Sequence, residues 1–140
     1  MAVPDLVFDP LPSGSLRQFI VDHIDMHNVA RTGRTDWRPL GYFLRDARGE
    51  WVGGRLGHVW GGWLHVQALW VVGSMNGQGL GTRLLLAAED HARSLGATRS
   101  TLETFSFQAP NFYKRHGYKI FGTLEDYPPG HTKYYLRKIL

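Results

Sequence analysis

The 140-residue chain is 43% hydrophobic, 13% aromatic and 20% charged, with a net charge of +4 and no cysteine. Such a chain closes one core, so residues 1–140 are expected to form a single domain, and both disorder and a stitched pair of ordinary domains are excluded; the missing cysteine excludes disulfides, thiolate metal sites and a thiol nucleophile. The charge excess lies in residues 71–140, with nine Lys/Arg against five Asp/Glu, while residues 1–70 hold seven of each, and a basic half points to nucleic acid, a phosphorylated cofactor or an acidic surface.

Leu6-Val7-Phe8 reads as a short strand, stopped by Pro10 and Pro12. Ser15 with Gln18 three residues later makes a capping box. Leu16, Phe19, Ile20, Ile24 and His27 follow at helical spacing and predict an amphipathic helix from Ser15 to about Asn28. After a polar loop at 31–36, strands are expected at Leu40–Leu44 and Trp51–Trp60, joined by Asp46-Ala47-Arg48-Gly49. Gly61-Gly62 turns the chain into a third strand, Trp63–Val72. Leu80, Leu84, Ala88, His91 or Ala92, and Leu95 mark one face of a helix that ends at Gly96. Ser100–Phe105 is the next strand. Strand 63–72, helix 80–95 and strand 100–105 make one βαβ unit, so these two strands should be parallel. A short helix from about Ala109 to His116 ends at Gly117. Tyr118–Leu124 and Lys133–Leu140 close the chain as a hairpin around Pro128-Pro129-Gly130. The fold class is therefore α/β: a mixed, mostly antiparallel sheet with one parallel crossover and flanking helices.

The stretch that carries chemistry is Asn76-Gly77-Gln78-Gly79-Leu80-Gly81-Thr82, between a strand and a helix. Glycines let backbone N–H groups approach an anion, and the helix start adds its positive end. No Lys-Ser/Thr follows, so it is not a Walker loop. Thr82 stands where a dinucleotide fingerprint needs a small residue. His23 and His27 lie one helical turn apart, but Ile24 stands where a zincin has Glu, so no metal is expected. Trp51, Trp60, Trp63 and Trp70 read as core, or as the wall of an acceptor pocket. Glu125-Asp126-Tyr127 and His131 read as a solvated turn, with reception of a cationic amine as the alternative.

Leu69-Trp70-Val71-Val72, this turn and Arg83-Leu84-Leu85 together resemble the acetyl-CoA motif of the GNAT N-acetyltransferase superfamily. Gly79 and Gly81 match two places of that motif, and Asn76 stands where Arg or Gln is usual. Gln108-Ala109-Pro110-Asn111-Phe112-Tyr113, continuing to Gly117-Tyr118, resembles a second family segment; Ser106 takes the place of an asparagine that commonly precedes it. The resemblance implies that the two parallel strands splay and that acetyl-CoA lies in the gap. Backbone groups of Leu69, Trp70 and Val71 would hold the pantetheine arm. The N–H groups from Gln78 to Arg83 would hold the pyrophosphate, joined by the Thr82 hydroxyl. Ser106 and Ala109 would flank the cofactor, and Arg83, Lys114 and Arg115 would be the nearest cations. Tyr113 matches the family's general acid.

The base is expected on the strand that enters the turn. His65 and Gln67, two apart, should share a face, and a neutral histidine accepts a proton at pH 7. Glu103, on the neighbouring strand, and water are the alternatives. The expected activity is direct transfer of an acetyl group from acetyl-CoA to an amine, with the acceptor left open between a small amine, an amino acid, a drug-like amine and a protein terminus. A non-catalytic acyl-CoA-binding module and a basic nucleic-acid binder are the competing classes; the lack of a Lys/Arg-dense stripe counts against the second. No apolar run reaches the ~20 residues of a membrane span and Met1-Ala2-Val3-Pro4-Asp5 has no signal character, so a cytoplasmic protein is expected. A homodimer is compatible with this reading.

Overall fold

The computed structural model describes residues 2–140. In chain order it contains α1 (Gly14–Thr32), β1 (Arg38–Arg45), β2 (Trp51–Trp60), β3 (Trp63–Val71), α2 (Leu80–Ser94), β4 (Arg99–Phe105), α3 (Pro110–Arg115), β5 (Lys119–Glu125) and β6 (Thr132–Ile139). These elements fall into two compact units, Met1–Thr35 and Asp36–Leu140.

The first unit is α1 and the segment before it. Ser13, not Ser15, caps the helix: its hydroxyl accepts the Leu16 N–H at 3.2 Å. Gln18 instead donates to Asp22 one turn on, at 2.7 Å, so the expected capping box does not form. The helix runs past Asn28 to Thr32 and stops at Gly33, whose N–H reaches the Val29 carbonyl at 2.8 Å. The strand expected at Leu6–Phe8 is absent. A strand exists only through pairing, and these residues have no ladder partner within their unit.

The second unit is a six-stranded sheet in the order β1-β2-β3-β4-β6-β5. All neighbours run antiparallel except β3 and β4. The final hairpin inserts β6 between β4 and β5, so β5 is the edge strand. The parallel ladder is short: Trp63–Val66 pair with Arg99–Leu102, and nothing beyond them pairs. Past that point β3 stays with β2 as far as Val71, and β4 stays with β6 as far as Phe105. The sheet therefore splits into two diverging halves. A bulge sits at the fork: Leu56 faces Ala68 and Gly57 faces Val66, which leaves Gln67 as the extra residue. A bulge adds bend and twist to its strand and reverses the alternation beyond it.

α2 covers the sheet with Leu84, Leu85, Ala88, Glu89 and Ala92 buried. This face is rotated from the expected one, leaving Leu95 42% exposed and burying a carboxylate. Glu89 is fully satisfied. One oxygen accepts from the Tyr118 hydroxyl at 2.8 Å and the other from the Lys138 ammonium at 2.8 Å. Tyr118 in turn bonds Ser100 at 2.7 Å. Arg55 of β2, also buried, donates to the Leu85 carbonyl at 3.4 Å, while its Nε and Nη2 find no acceptor among the described residues. Burial holds its pKa below the usual arginine range, opposed by the nearby Tyr118, Tyr113 and Glu89. The tryptophans divide: Trp51 and Trp70 are each 59% exposed and are not core, while Trp60 and Trp63 are half-buried.

Tyr118→Phe should cost about 1–3 kcal/mol in urea unfolding, because Ser100 and Glu89 each lose a buried partner. Burial also raises the Tyr118 pKa above the tyrosine range, opposed by its Ser100 bond and reinforced by Glu89. Above pH ~10 an unfolded tyrosine ionises before this one does. Wild-type stability should therefore hold below that pH and fall as pH rises through it, less steeply in Tyr118→Phe.

Candidate active site

The fork between β3 and β4 opens a cavity of about 870 Å³. Leu69, Trp70 and Val71 line one wall, and Glu103 and Thr104 the other. Asn76, Gly77, Gly79, Leu80, Gly81 and Thr82 form one end, and Ala109, Phe112 and Tyr113 of α3 form another side. Of the remaining residues singled out from the sequence, Gln78, Arg83, Ser106 and His65 do not line the cavity. Arg115 does, whereas Lys114 does not.

The turn works through its backbone. A one-turn 3-10 helix at Gly73–Met75 closes with the Asn76 N–H on the Gly73 carbonyl at 3.2 Å. Gly77 and Gly79 then adopt positive φ, 80° and 74°, with open space where a side chain would stand. Gly79 is the N-cap of α2, and no side chain caps that helix. The N–H groups of Leu80, Gly81 and Thr82 are left at the mouth of the cavity, where the helix dipole is positive. The expected contribution of the Arg83 N–H is corrected: it is the first amide drawn into the helix, bonded to the Gly79 carbonyl at 3.0 Å. Gly81 serves packing. A Cβ there would lie 3.4 Å from the Phe112 ring and 3.8 Å from Leu69.

Side chains around the turn are largely committed. Thr82 Oγ1 pairs with His116 Nε2 at 3.0 Å, tying the start of α2 to the end of α3. Ser106 exchanges hydrogen bonds with Thr132: its N–H donates to the Thr132 carbonyl at 2.8 Å, and its hydroxyl accepts the Thr132 N–H at 3.0 Å. It thus anchors the β4–α3 loop to β6. Gln108, absent from the sequence-based set, lines the cavity while its carbonyl accepts the Phe105 N–H at 3.0 Å. Its place directly before Ala109 was the available signal.

Tyr113 is 7% exposed, edge-on against Phe112 at 5.1 Å and Tyr118 at 5.8 Å. Its hydroxyl bonds no group among the described residues. Burial raises its pKa and Arg55 opposes the rise, so the phenol keeps its proton well above neutrality. Across the fork, the two residues weighed as alternative bases touch: His65 Nε2 of β3 is 3.3 Å from Glu103 Oε2 of β4. Glu103 faces the cavity and His65 stands behind it. Gln67 lines the cavity although His65 does not, because the bulge breaks the alternation that would have put both on one face. His65 also meets the His58 ring edge-on at 5.2 Å. Burial, and then His65, lower the His58 pKa.

His23 is occupied locally, its Nδ1 2.7 Å from the Phe19 carbonyl. Among the described residues no three His, Cys, Asp or Glu side chains form a metal-holding group, and no helix is long and apolar enough to cross a membrane.

A forked mixed sheet with an uncapped helix end at the mouth of its fork offers room for an anionic, amide-bearing ligand. The chain belongs to the GNAT acetyltransferase family, whose family model matches residues 14–118. It is 46% identical over 116 residues to a blasticidin-S acetyltransferase of Streptomyces morookaense, covering 80% of this chain and 85% of that protein. It is 32% identical over 134 residues to an acetyltransferase of Agrobacterium fabrum, covering 96% of this chain and 98% of that one. Among solved structures, an acetyltransferase from Agrobacterium tumefaciens superposes with a TM-score of 0.91 at 31% identity, covering 98% of this chain and all of the other.

Gly81→Ala should leave thermal stability near wild type, because its Cβ meets Phe112 at ordinary contact distance. Gly81→Val should cost about 1–3 kcal/mol by overfilling the same gap. Melting curves of the two variants check this.

Proposed function

We propose that this protein transfers the acetyl group of acetyl-CoA directly to an amine of a small molecule. One observation carries the reading: a single cavity joins an anion-binding helix end to a protonated tyrosine on one side and a carboxylate on the other. The identity to a blasticidin-S acetyltransferase supports a small-molecule acceptor.

The chain's groups divide the work. The N–H groups of Leu80, Gly81 and Thr82 hold the pyrophosphate, with Arg115 as the nearby cation on the cavity wall. Backbone groups of Trp70 turn into the β2 ladder opposite Gly54, while those of Leu69 and Val71 turn away from β2 toward the gap and hold the pantetheine arm. These amides match the ligand's own amides, and water would otherwise have to satisfy them.

An alkylamine has a pKa near ~10.4, so about one molecule in 10³ is neutral at pH 7, and removing its proton costs about 4–5 kcal/mol. Glu103 takes that proton, with His65 behind it to share the charge. The neutral nitrogen then attacks the thioester carbonyl. The C–N bond forms, the C–S bond breaks, the sulfur leaves as a thiolate, and the nitrogen, which still carries one proton too many after the attack, releases it to solvent to become the neutral amide. Tyr113 donates its proton to that thiolate and is reprotonated from solvent. A thiol pKa near ~8.5 makes this assistance smaller than that of the base.

Acetyl-CoA at 100 times its Kd should raise stability by ~2.7 kcal/mol. Gly79→Asp, which sets a carboxylate against the pyrophosphate, should abolish that gain in a protein that still folds; unchanged affinity would remove the turn from the site. Tyr113→Phe should lower kcat about 10- to 100-fold with acetyl-CoA affinity nearly unchanged, since only a proton donor is lost; kcat within twofold would make Tyr113 a packing residue. Glu103→Gln and His65→Ala should each lower kcat/KM, the first by ~10²-fold or more. The double variant should be little worse than Glu103→Gln, because the two act as one unit; fully additive losses would separate them.

A further inference from the structure

Beside the cavity, on the sheet face turned away from α2, two opposite charges stand close together and do not pair. Glu103 lies opposite Tyr135 in the β4–β6 ladder, and Phe105 lies opposite Lys133. Glu103 and Lys133 are therefore diagonal neighbours on one face, a spacing of about 7–8 Å that long side chains readily bridge. Each is held elsewhere. Glu103 Oε2 rests 3.3 Å from His65 Nε2. The Lys133 ammonium sits among three rings, 5.5 Å from the centroid of Phe105, 5.2 Å from Tyr127 and 5.3 Å from Tyr135. Rings attract a cation through their faces, yet leave its three N–H donors without an oxygen acceptor. Among the described residues this ammonium has no ion pair or hydrogen bond.

The rings also build a shelf. Phe105 stacks against Phe107 at 5.2 Å and against Tyr127 at 5.5 Å, with His131 edge-on to Phe107 at 5.0 Å. Phe107 and Tyr127 are about half exposed. The turn residues Tyr127 and His131 thus belong to a structured patch next to the proposed base. Arg137, the next cation on this face, is turned away toward the Phe121 ring, 5.5 Å from its centroid.

We propose that this patch is the acceptor subsite and that the substrate is a zwitterion: an amine that also carries a carboxylate. The amine goes to Glu103, the carboxylate accepts from Lys133, and Phe107 and Tyr127 take an apolar or planar side group. A lone ammonium with no second cation turned toward it balances the single charge of a carboxylate rather than the charge of about −1.5 to −2 on a phosphate. His65 and the three rings keep the two charges from neutralising each other, so the site is preorganised for a dipolar ligand. This inference rests on the cavity being an amine acetyltransferase site and narrows its substrate class.

The test uses matched acceptors, L-phenylalanine and L-methionine against their amides. Binding to the protein saturated with CoA is measured by calorimetry, and turnover with acetyl-CoA is measured separately. The acids should bind at least about tenfold tighter than the amides, as expected for a charge-assisted hydrogen bond of ~1.5–3 kcal/mol. Lys133→Gln should reduce that preference to within about twofold, and Lys133→Arg should keep most of it. Amides that bind as well as the acids overturn the proposal. So does failure of either acid to bind at millimolar concentration, or equal weakening of acids and amides by Lys133→Gln. If acetyl-CoA binds and the amides are acetylated as well as the acids, only the subsite falls. If acetyl-CoA does not bind, the acetyltransferase reading falls with it.

Discussion

The loss of pairing between β3 and β4 beyond Val66 and Leu102 is the constraint on which the rest depends. Two parallel strands that stayed in register would close the sheet and leave no cavity. The extra residue Gln67 bends β3 away at the point where the ladder ends. The uncapped α2 end, Tyr113 and Glu103 all line the cavity that results. The split leaves backbone groups of both strands without a ladder partner across it, a cost that solvent must offset.

A sheet that is split at one end must be held at the other. Glu89 of α2 joins Lys138 of β6 and Tyr118 ahead of β5, and Tyr118 reaches Ser100 at the start of β4. This buried network ties α2, which covers β3, to the opposite half of the sheet. A buried carboxylate is tolerated here because both of its oxygens are satisfied, one of them by a charge. Arg55 beneath the same helix is less well satisfied. Its positive charge near Tyr113 and Tyr118 opposes the effect of burial on both phenols without overcoming it.

The two walls of the cavity differ electrostatically. Tyr113 is enclosed among rings and keeps its proton, while Glu103 is about one-third exposed and in contact with a histidine. The one cavity is thus lined by a phenol that holds its proton and by a more exposed carboxyl group.

The sequence by itself determined the order of elements from β1 onward, the parallel crossover and the place of the glycine turn before α2, because these follow from local rules: period-2 and period-3.6 patterning, and glycines where a strand hands over to a helix. It also placed Tyr113, through a motif contiguous in the chain. What failed locally was whatever needed a partner: Leu6–Phe8 is no strand without a ladder, and Ser13 displaced Ser15 as cap. Only the tertiary structure decided the rest. The bulge at Gln67 exists only against β2, and it set Gln67, not His65, on the cavity. Glu89 is satisfied in the interior only because Tyr118 and Lys138, 29 and 49 positions away, reach its two oxygens. Lys133 gained its ring of aromatics from β4, the final turn and β6, which no sequence spacing could bring together, because such contacts are fixed by strand order and register rather than by distance along the chain.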